Sequence, residues 1–225
     1  MTARFEAVLF DAGGVLVVPD GTVLGPLLAP YGASTDLGDH HRAHYAAMRA
    51  HDHEDTAGWG AYHRTYVSTL GVPGDELCDA VAVFGQTFNS MLWRYPNQGA
   101  AATLRGLVER NVPIGVVSNA SGQIEAALRR AGICQVGRGE GAVVVCVIDS
   151  HVVGVSKPDP AIFVAALDLL GVPADRVAYV GDSIRYDVGG ARSAGLVPVL
   201  LDPYTETNGD GHHRITSLSE LLVWF

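Results

Sequence analysis

The sequence predicts an α/β fold, in which a Rossmann-like doubly wound parallel sheet carries an inserted α-helical cap domain. Apolar runs of strand length recur along the chain, and segments with helical spacing of apolar residues lie between them. One long segment, residues 20–92, shows helical patterns but no run typical of a strand. Strands that alternate with helices form parallel sheets, because each parallel connection must cross over the sheet.

The strand-length runs are almost wholly apolar, which is typical of strands buried on both faces of a parallel sheet. They lie at residues 7–10, 113–117, 142–148, 177–180 and 197–201. Polar residues follow several of these runs directly. Because sheets of this kind bind ligands beyond the carboxyl ends of their strands, we expect the functional site at that edge.

Helical spacing marks the connections between the strands, at residues 99–110, 122–131, 159–170 and 185–194. Glycine, which often ends a helix, follows three of these segments, as Gly132, Gly171 and Gly195. A glycine-rich stretch at residues 135–141 predicts a loop.

The inserted segment predicts further helices, at residues 38–51, 58–70 and 75–92. It follows the first strand almost directly. We therefore expect a core domain made of residues 1–18 and 93–225 and a helical cap domain at residues 19–92.

Composition limits the class of protein and its partners. Hydrophobic residues make up 48% and charged residues 17%, which excludes a disordered chain and a coiled coil. The net charge of −9 argues against nucleic acid and anionic membranes as partners. The apolar runs are too short to span a bilayer, and the N-terminus lacks the apolar core of a signal peptide. The three scattered cysteines, Cys78, Cys134 and Cys146, indicate reduced core thiols, so we expect a cytoplasmic protein, a monomer or a homodimer.

The basic residues are unusually uniform. Of the 15 basic residues 14 are arginine, and the single lysine is Lys157. A compact ammonium suits a tight buried site next to an anion, where a planar guanidinium fits less well. This composition favours a specific role for Lys157.

Four strand-end or loop segments carry residues suited to catalysis, namely Asp11, Ser118, Lys157, and Asp182 with Asp187. Their order and local contexts resemble the haloacid dehalogenase-like (HAD) superfamily, in the subfamily with a helical cap inserted after the first motif. The resemblance spans nearly the whole chain, with motifs at residues 7–16, 114–119, 154–163 and 178–195. Each motif alone is a weak signal, but four in this order and spacing are specific.

The resemblance implies a Mg²⁺-dependent phosphatase that hydrolyses a small phosphorylated metabolite. Asp11 would be the nucleophile, which forms an acyl phosphate that water then hydrolyses. Mg²⁺ would be bound by Asp11, by Asp182 and by the backbone carbonyl of Gly13.

The other motif residues would bind the phosphate or support the catalytic groups. Ser118 and the amide of Asn119 would donate hydrogen bonds to phosphoryl oxygens, and Lys157 would neutralise charge between nucleophile and phosphate. Asp187 would hold Lys157 or the metal-bound waters in place. We count Asp11, Ser118, Lys157 and Asp182 as the expected catalytic residues.

The first motif departs from the family pattern at Gly13. Phosphatases of the superfamily usually have a second aspartate here, which protonates the leaving group, a contribution of ~10²–10⁴-fold. One hypothesis keeps the phosphatase, with a good leaving group or a substitute acid such as Asp20 or a cap histidine. The others are a haloacid dehalogenase, whose halide leaves without a proton, and a catalytically impaired binding or regulatory protein. The acidic motif at Asp182 suits a metal site better than a dehalogenase, so the phosphatase is the main hypothesis.

The predicted cap is rich in histidine. His40, His44 and His51 share one helix face, at spacings of four and seven residues. They could bind a metal or an anion, but without a cysteine or carboxylate pattern nearby we expect solvated or capping side chains.

Overall fold

The computed structural model describes residues 5–54, 58–204 and 211–225. It divides into two compact units, one made of Met1–Val17 with Pro96–Phe225 and the other of Val18–Tyr95. We call them the α/β unit and the helical unit. The boundaries predicted from the sequence, at residues 18 and 93, lie within three residues of these.

The α/β unit is built on a sheet of six parallel strands, in the order β10-β9-β8-β1-β4-β7, which confirms the predicted fold class. Two further pairs, β2 with β3 and β5 with β6, form separate small sheets. The strands are β1 Ala7–Phe10, β2 Val17–Pro19, β3 Trp93–Pro96, β4 Ile114–Ser118, β5 Cys134–Val136, β6 Ala142–Val144, β7 Cys146–Asp149, β8 Val177–Gly181, β9 Val197–Leu201 and β10 His213–Ile215.

The register of the central strands determines which side chains meet. Phe10 of β1 lies opposite Val116 of β4 and opposite Val180 of β8. The residues that follow these strands therefore emerge at one edge of the sheet. Every residue of β1, β4 and β8 is buried, because both faces of the sheet are covered.

The helices of the helical unit are α1 Gly21–Leu28, α2 Leu37–Asp52, α3 Gly60–Thr69 and α4 Leu77–Thr87. Those of the α/β unit are α5 Ala100–Glu109, α6 Ile124–Arg130, α7 Ser150–Val153, α8 Ala161–Leu170 and α9 Gly189–Ser193. The three predicted helix-ending glycines all have positive φ, the left-handed conformation that closes a helix, at Gly132, Gly171 and Gly195. Across the described segments, these helices are all too short or too polar to cross a bilayer.

The apolar run at residues 142–148 forms two strands rather than the single strand predicted. The first, β6, pairs with β5 outside the main sheet, and only β7 joins β4. Both strands are apolar, so composition alone does not mark where the chain passes from one sheet to the other. The start of the predicted loop at residues 135–141 is likewise strand, and only residues 137–141 form an irregular bend.

The cysteines are free thiols, but only two of them match the prediction. Cys134 and Cys146 are buried, whereas Cys78 is exposed near the start of α4. The helical pattern there marks an amphipathic helix, and Cys78 lies on its outer face.

The expectation that the helix-face histidines are solvated is wrong. Helix α2 packs against α3, and two tyrosines of α3 form hydrogen bonds with the imidazoles. His40 Nδ1 lies 2.9 Å from the Tyr66 hydroxyl, and His44 Nδ1 lies 2.8 Å from the Tyr62 hydroxyl. His51 stacks on the Trp59 ring at 4.6 Å. All three imidazoles are buried, and within the described residues they do not gather into a three-ligand metal cluster.

The buried imidazole of His44 predicts acid sensitivity. Burial lowers the pKa of His44 from 6.5 to about 3. The unfolded chain therefore takes up a proton near pH 6.5 that the folded chain does not, and the free energy of unfolding falls as the pH drops from 6.5 towards 3. At pH 5 the loss from this one residue is about 2 kcal/mol.

The variant His44→Gln tests this effect, because glutamine still offers a hydrogen bond to Tyr62 but does not titrate. Urea denaturation at pH 7 and pH 5 gives the loss of stability for each protein. We expect a smaller loss in the variant than in the wild type. Equal losses in the two proteins would show that His44 does not become protonated on unfolding in this range.

Candidate active site

An acidic cluster of three carboxylates lies at the carboxyl edge of the sheet. Asp11 follows β1, Asp182 follows β8, and Asp187 lies on the π-helical turn Ile184–Val188. One ligand oxygen from each lies within 4.8 Å of the others, and all three residues are buried. Because parallel strands bring their carboxyl ends to one edge, residues far apart in sequence meet here.

The ammonium of Lys157 lies against this cluster. Its Nζ is 2.9 Å from Asp11 Oδ2, 2.7 Å from Asp187 Oδ1 and 2.9 Å from the Tyr179 hydroxyl. A lysine ammonium has three N–H donors, so each can have an acceptor. Burial alone would lower the pKa of Lys157, but the carboxylates of Asp11 and Asp187 outweigh it and raise the pKa, which keeps the ammonium charged.

Asp187 links the lysine to the loop after β8. Its Oδ1 accepts from Lys157 and lies 3.0 Å from the Tyr179 hydroxyl, and its Oδ2 accepts from the backbone N–H groups of Asp182 and Ser183 at 3.0 Å each. A Cβ at position 181 would overlap the Asp187 side chain, so only glycine allows this close approach. Asp187 thus orients both Lys157 and the backbone that carries Asp182.

The electrostatics of the site favour an added cation. The pKa of Asp11 is raised to about 7, because burial and the charges of Asp187 and Asp182 together outweigh the lowering effect of Lys157. Three carboxylates share one ammonium, so the cluster has an excess of negative charge when all are ionised. A divalent cation would offset this excess, and carboxylate oxygens are the ligands that hard cations prefer, so the residues present fit a metal ion.

The side chain of Asn119 forms two hydrogen bonds with the backbone of Lys157. Its side-chain Nδ2 donates to the Lys157 carbonyl at 3.0 Å, and its Oδ1 accepts from the Lys157 N–H at 2.8 Å. The side chain therefore fixes the loop that carries the lysine. Ser118 is buried at the end of β4, and the roles of Ser118 and of the Asn119 backbone amide in phosphate binding stay predictions.

Asp20 belongs to the helical unit, where it caps the start of α1. Its Oδ1 accepts from the N–H and hydroxyl of Thr22, and its Oδ2 forms an ion pair with Arg94 Nε at 2.7 Å. Burial opposes ionisation, but the hydrogen bonds from Thr22 and Arg94 outweigh it and lower the pKa of Asp20. A carboxylate held ionised in this way is a poor proton donor, which disfavours Asp20 as a substitute acid.

Residue 13 lies in the turn after Asp11. Gly13 forms an isolated β-bridge with Val17, and the adjacent Gly14 has a φ of 74°. Gly13, unlike Gly14, does not have a positive φ. The backbone at residue 13 therefore accepts a side chain more readily than that at residue 14.

Tyr179 belongs to the site, although its sequence context predicts only a residue of an apolar strand. Its phenol hydroxyl contacts both Lys157 and Asp187. The available signal was a hydroxyl in an otherwise apolar strand, two residues before Gly181. Burial and the charge of Asp187 raise the pKa of Tyr179, so its hydroxyl stays neutral.

An α/β sheet with a buried lysine and three carboxylates at its carboxyl edge can bind a cation together with an anionic group. The family model of haloacid dehalogenase-like hydrolases matches residues 5–195. The chain therefore belongs to the haloacid dehalogenase-like hydrolases, and the resemblance found from the motifs is confirmed.

Two proteins with known names are similar to this chain in sequence. The chain is 36% identical over 131 residues to haloacid dehalogenase-like hydrolase domain-containing protein 3 of Bos taurus, covering 56% of this chain and 49% of the bovine protein. The match thus spans about half the length of that relative. This chain is also 29% identical over 198 residues to ribulose-1,5-bisphosphate 5-phosphatase of Halopiger xanaduensis, and the match covers 79% of each chain.

Solved structures share the fold at low sequence identity. A HAD phosphatase from Thermococcus onnurineus superimposes with a TM-score of 0.59 at 22% identity, over 96% of this chain and 95% of that one. Dehalogenases, two of them haloacid dehalogenases, are among the other structures of this fold. These likenesses describe the fold and do not separate the two activities.

Proposed function

We propose that this chain is a Mg²⁺-dependent phosphatase that acts on a small phosphorylated metabolite through an aspartyl-phosphate at Asp11. The contact between the Asp11 carboxylate and the Lys157 ammonium, beside two further carboxylates, carries this proposal. Phosphoryl transfer needs a nucleophile and fixed positive charge near the phosphoryl oxygens. The similarity to the Halopiger phosphatase supports the same class of reaction.

The reaction has two displacements at phosphorus. In the first, a carboxylate oxygen of Asp11 attacks phosphorus, and the bond to the leaving alcohol breaks with its electron pair on the alcohol oxygen, which takes up a proton. In the second, water attacks phosphorus, the bond to Asp11 breaks, and the proton lost by water balances the one gained by the alcohol.

The residues of the site divide the remaining work between them. Lys157 stabilises negative charge on the phosphoryl oxygens, and Asp187 holds Lys157 in position. Asp11, Asp182 and the Gly13 carbonyl would bind Mg²⁺, which supplies further charge neutralisation when bound. A metal ion there would also favour the ionised, nucleophilic form of Asp11.

Proton transfer to the leaving group determines which substrates suit this site. Residue 13 has no carboxyl group, and the contacts of Asp20 disfavour it as an acid. We therefore expect faster turnover of phosphate esters whose leaving group needs little protonation than of simple alkyl phosphates.

A screen of phosphate release tests the proposal. The substrates are sugar phosphates, nucleotides, phosphoglycolate-type acids and p-nitrophenyl phosphate, each with Mg²⁺ and with excess chelator. We expect Mg²⁺-dependent release from at least one of them. Chloride release from 2-haloacids without metal would instead identify a dehalogenase, and Mg²⁺ binding without any turnover would identify a binding protein.

The variant Gly13→Asp tests the missing acid directly, because it restores the family pattern at a backbone position without positive φ. We expect kcat for glycerol phosphate, an alkyl ester, to rise ~10-fold. The rise should be much smaller for p-nitrophenyl phosphate, whose leaving group hardly needs a proton. Gly13→Asn is the matched control, since it adds the same bulk without an acid and should give no rise.

A different result would contradict the idea that the leaving group lacks a proton donor. If both variants fold and bind Mg²⁺, and neither gains on glycerol phosphate while the wild type already turns it over quickly, another residue supplies the proton. The cap histidines and Asp20 would then be substituted next.

A further inference from the structure

Tyr179 places a polar atom deep inside the α/β unit. It lies in β8, its side chain is fully buried, and its ring packs edge-on against Phe163 at 4.9 Å. A buried hydroxyl without a partner would be costly, so its partners show what it does.

The hydroxyl lies among three polar groups. It is 2.9 Å from Lys157 Nζ, 3.0 Å from Asp187 Oδ1 and 3.0 Å from the Val117 carbonyl oxygen. The ammonium can only donate, so the phenol oxygen accepts from Lys157 and gives its own proton to Asp187 or to Val117. Tyr179 thereby connects the lysine to the backbone of the neighbouring strand β4.

We propose that the Tyr179 hydroxyl is a positioning element that fixes the Lys157 ammonium at its working place beside Asp11. The catalytic consequence rests on the proposed function, whereas the contact itself is a property of the folded chain. Two of the three acceptors of the ammonium, Asp11 and Asp187, are carboxylates, and Tyr179 is the third. Without the third acceptor the ammonium keeps its charge but can shift between the two carboxylates.

The alternative is that Tyr179 is a core residue whose hydroxyl is merely satisfied. In that case Tyr179→Phe would lower stability without changing the ammonium or the rate of the chemical step. Tyr66→Phe is a matched control: it removes another buried phenol hydroxyl, one that contacts His40 in the helical unit.

The single lysine of the chain makes the ammonium directly observable. Protein labelled with ¹⁵Nζ-lysine has one side-chain ammonium signal, from Lys157, in a ¹H–¹⁵N spectrum. In Tyr179→Phe we expect this signal to shift and its protons to exchange with water about tenfold faster, as for the loss of one ordinary hydrogen bond. In Tyr66→Phe we expect the wild-type signal and exchange rate. An unchanged signal and exchange rate in Tyr179→Phe would overturn the proposal.

Kinetics give the second readout. With p-nitrophenyl phosphate and Mg²⁺, Tyr179→Phe should lower kcat about tenfold and leave KM within about twofold, because positioning matters most in the transition state. Tyr66→Phe should leave both constants unchanged. A wild-type kcat in Tyr179→Phe, with a displaced ammonium signal, would overturn the catalytic part.

The two readouts separate this inference from the proposed function. If the wild type released no phosphate, the proposed function would fail and the ammonium spectrum would still decide whether Tyr179 fixes Lys157. If Tyr179→Phe did not fold, the wild-type spectrum would decide it: we expect a nuclear Overhauser effect between the ammonium and Tyr179 ring protons. The absence of that effect would overturn the proposal.

Discussion

Replacing Asp11 with asparagine is expected to abolish turnover while the chain stays folded. The amide does not attack phosphorus and holds a cation poorly, so kcat should fall by at least ~10³-fold, the scale seen when a nucleophile is removed. The measurement is phosphate release from p-nitrophenyl phosphate with Mg²⁺, with circular dichroism as the check on folding. The loss of one carboxylate also removes repulsion within the acidic cluster, so we expect no loss of stability.

Asp149→Asn is the matched control for this variant. Asp149 ends the nearby strand β7, and its carboxylate caps α7 through the His151 N–H and accepts from the Gly122 N–H. Asparagine can still cap α7 through the His151 N–H but cannot also accept from the Gly122 N–H, so we expect a small loss of stability with activity close to that of the wild type. Activity of Asp11→Asn within tenfold of the wild type would remove Asp11 as the nucleophile.

Replacing Lys157 with arginine is expected to be nearly as damaging as removing its charge. The ammonium is buried and makes three contacts of 2.7 to 2.9 Å, whereas a guanidinium is planar and has five donors to satisfy. We expect kcat to fall at least ~10-fold, and about 100-fold if the larger group also displaces Asp187.

Lys157→Met provides the comparison, because it keeps the length of the side chain and removes the charge. Steady-state rates of the two variants should lie close together, both far below the wild type. An arginine variant as active as the wild type, beside an inactive methionine variant, would mean that charge alone is sufficient. The single lysine would then be a coincidence of composition.

The site could be predicted from the sequence where it depends on parallel strands. Asp11 and Asp182 follow largely apolar strands, and the carboxyl ends of such strands meet at one edge whatever the intervening sequence. The contact between Lys157 and Asp187 was implied by the family resemblance, and the structure places their charged atoms 2.7 Å apart. Their catalytic roles stay predictions.

Features that depend on side-chain packing could not be predicted in this way. The sequence predicts only a core residue at Tyr179, since an apolar run does not show where a hydroxyl points. The burial of His40 and His44 follows from the tyrosines of α3 that face α2, and the spacing along α2 contains no information about α3. The short strand β10 carries His213 and Arg214, so it lacks the apolar run that marks the other strands of the six-stranded sheet.

Asp11 should become phosphorylated during turnover. Borohydride reduces an acyl phosphate to an alcohol, so wild-type protein mixed with p-nitrophenyl phosphate and Mg²⁺ and then treated with borohydride should contain homoserine at position 11, as read by peptide mass spectrometry. The same treatment without Mg²⁺, or of Asp11→Asn, should leave no homoserine there. Rapid Mg²⁺-dependent phosphate release with an unmodified Asp11 at every sampled time, or reduction at a different aspartate, would contradict the account.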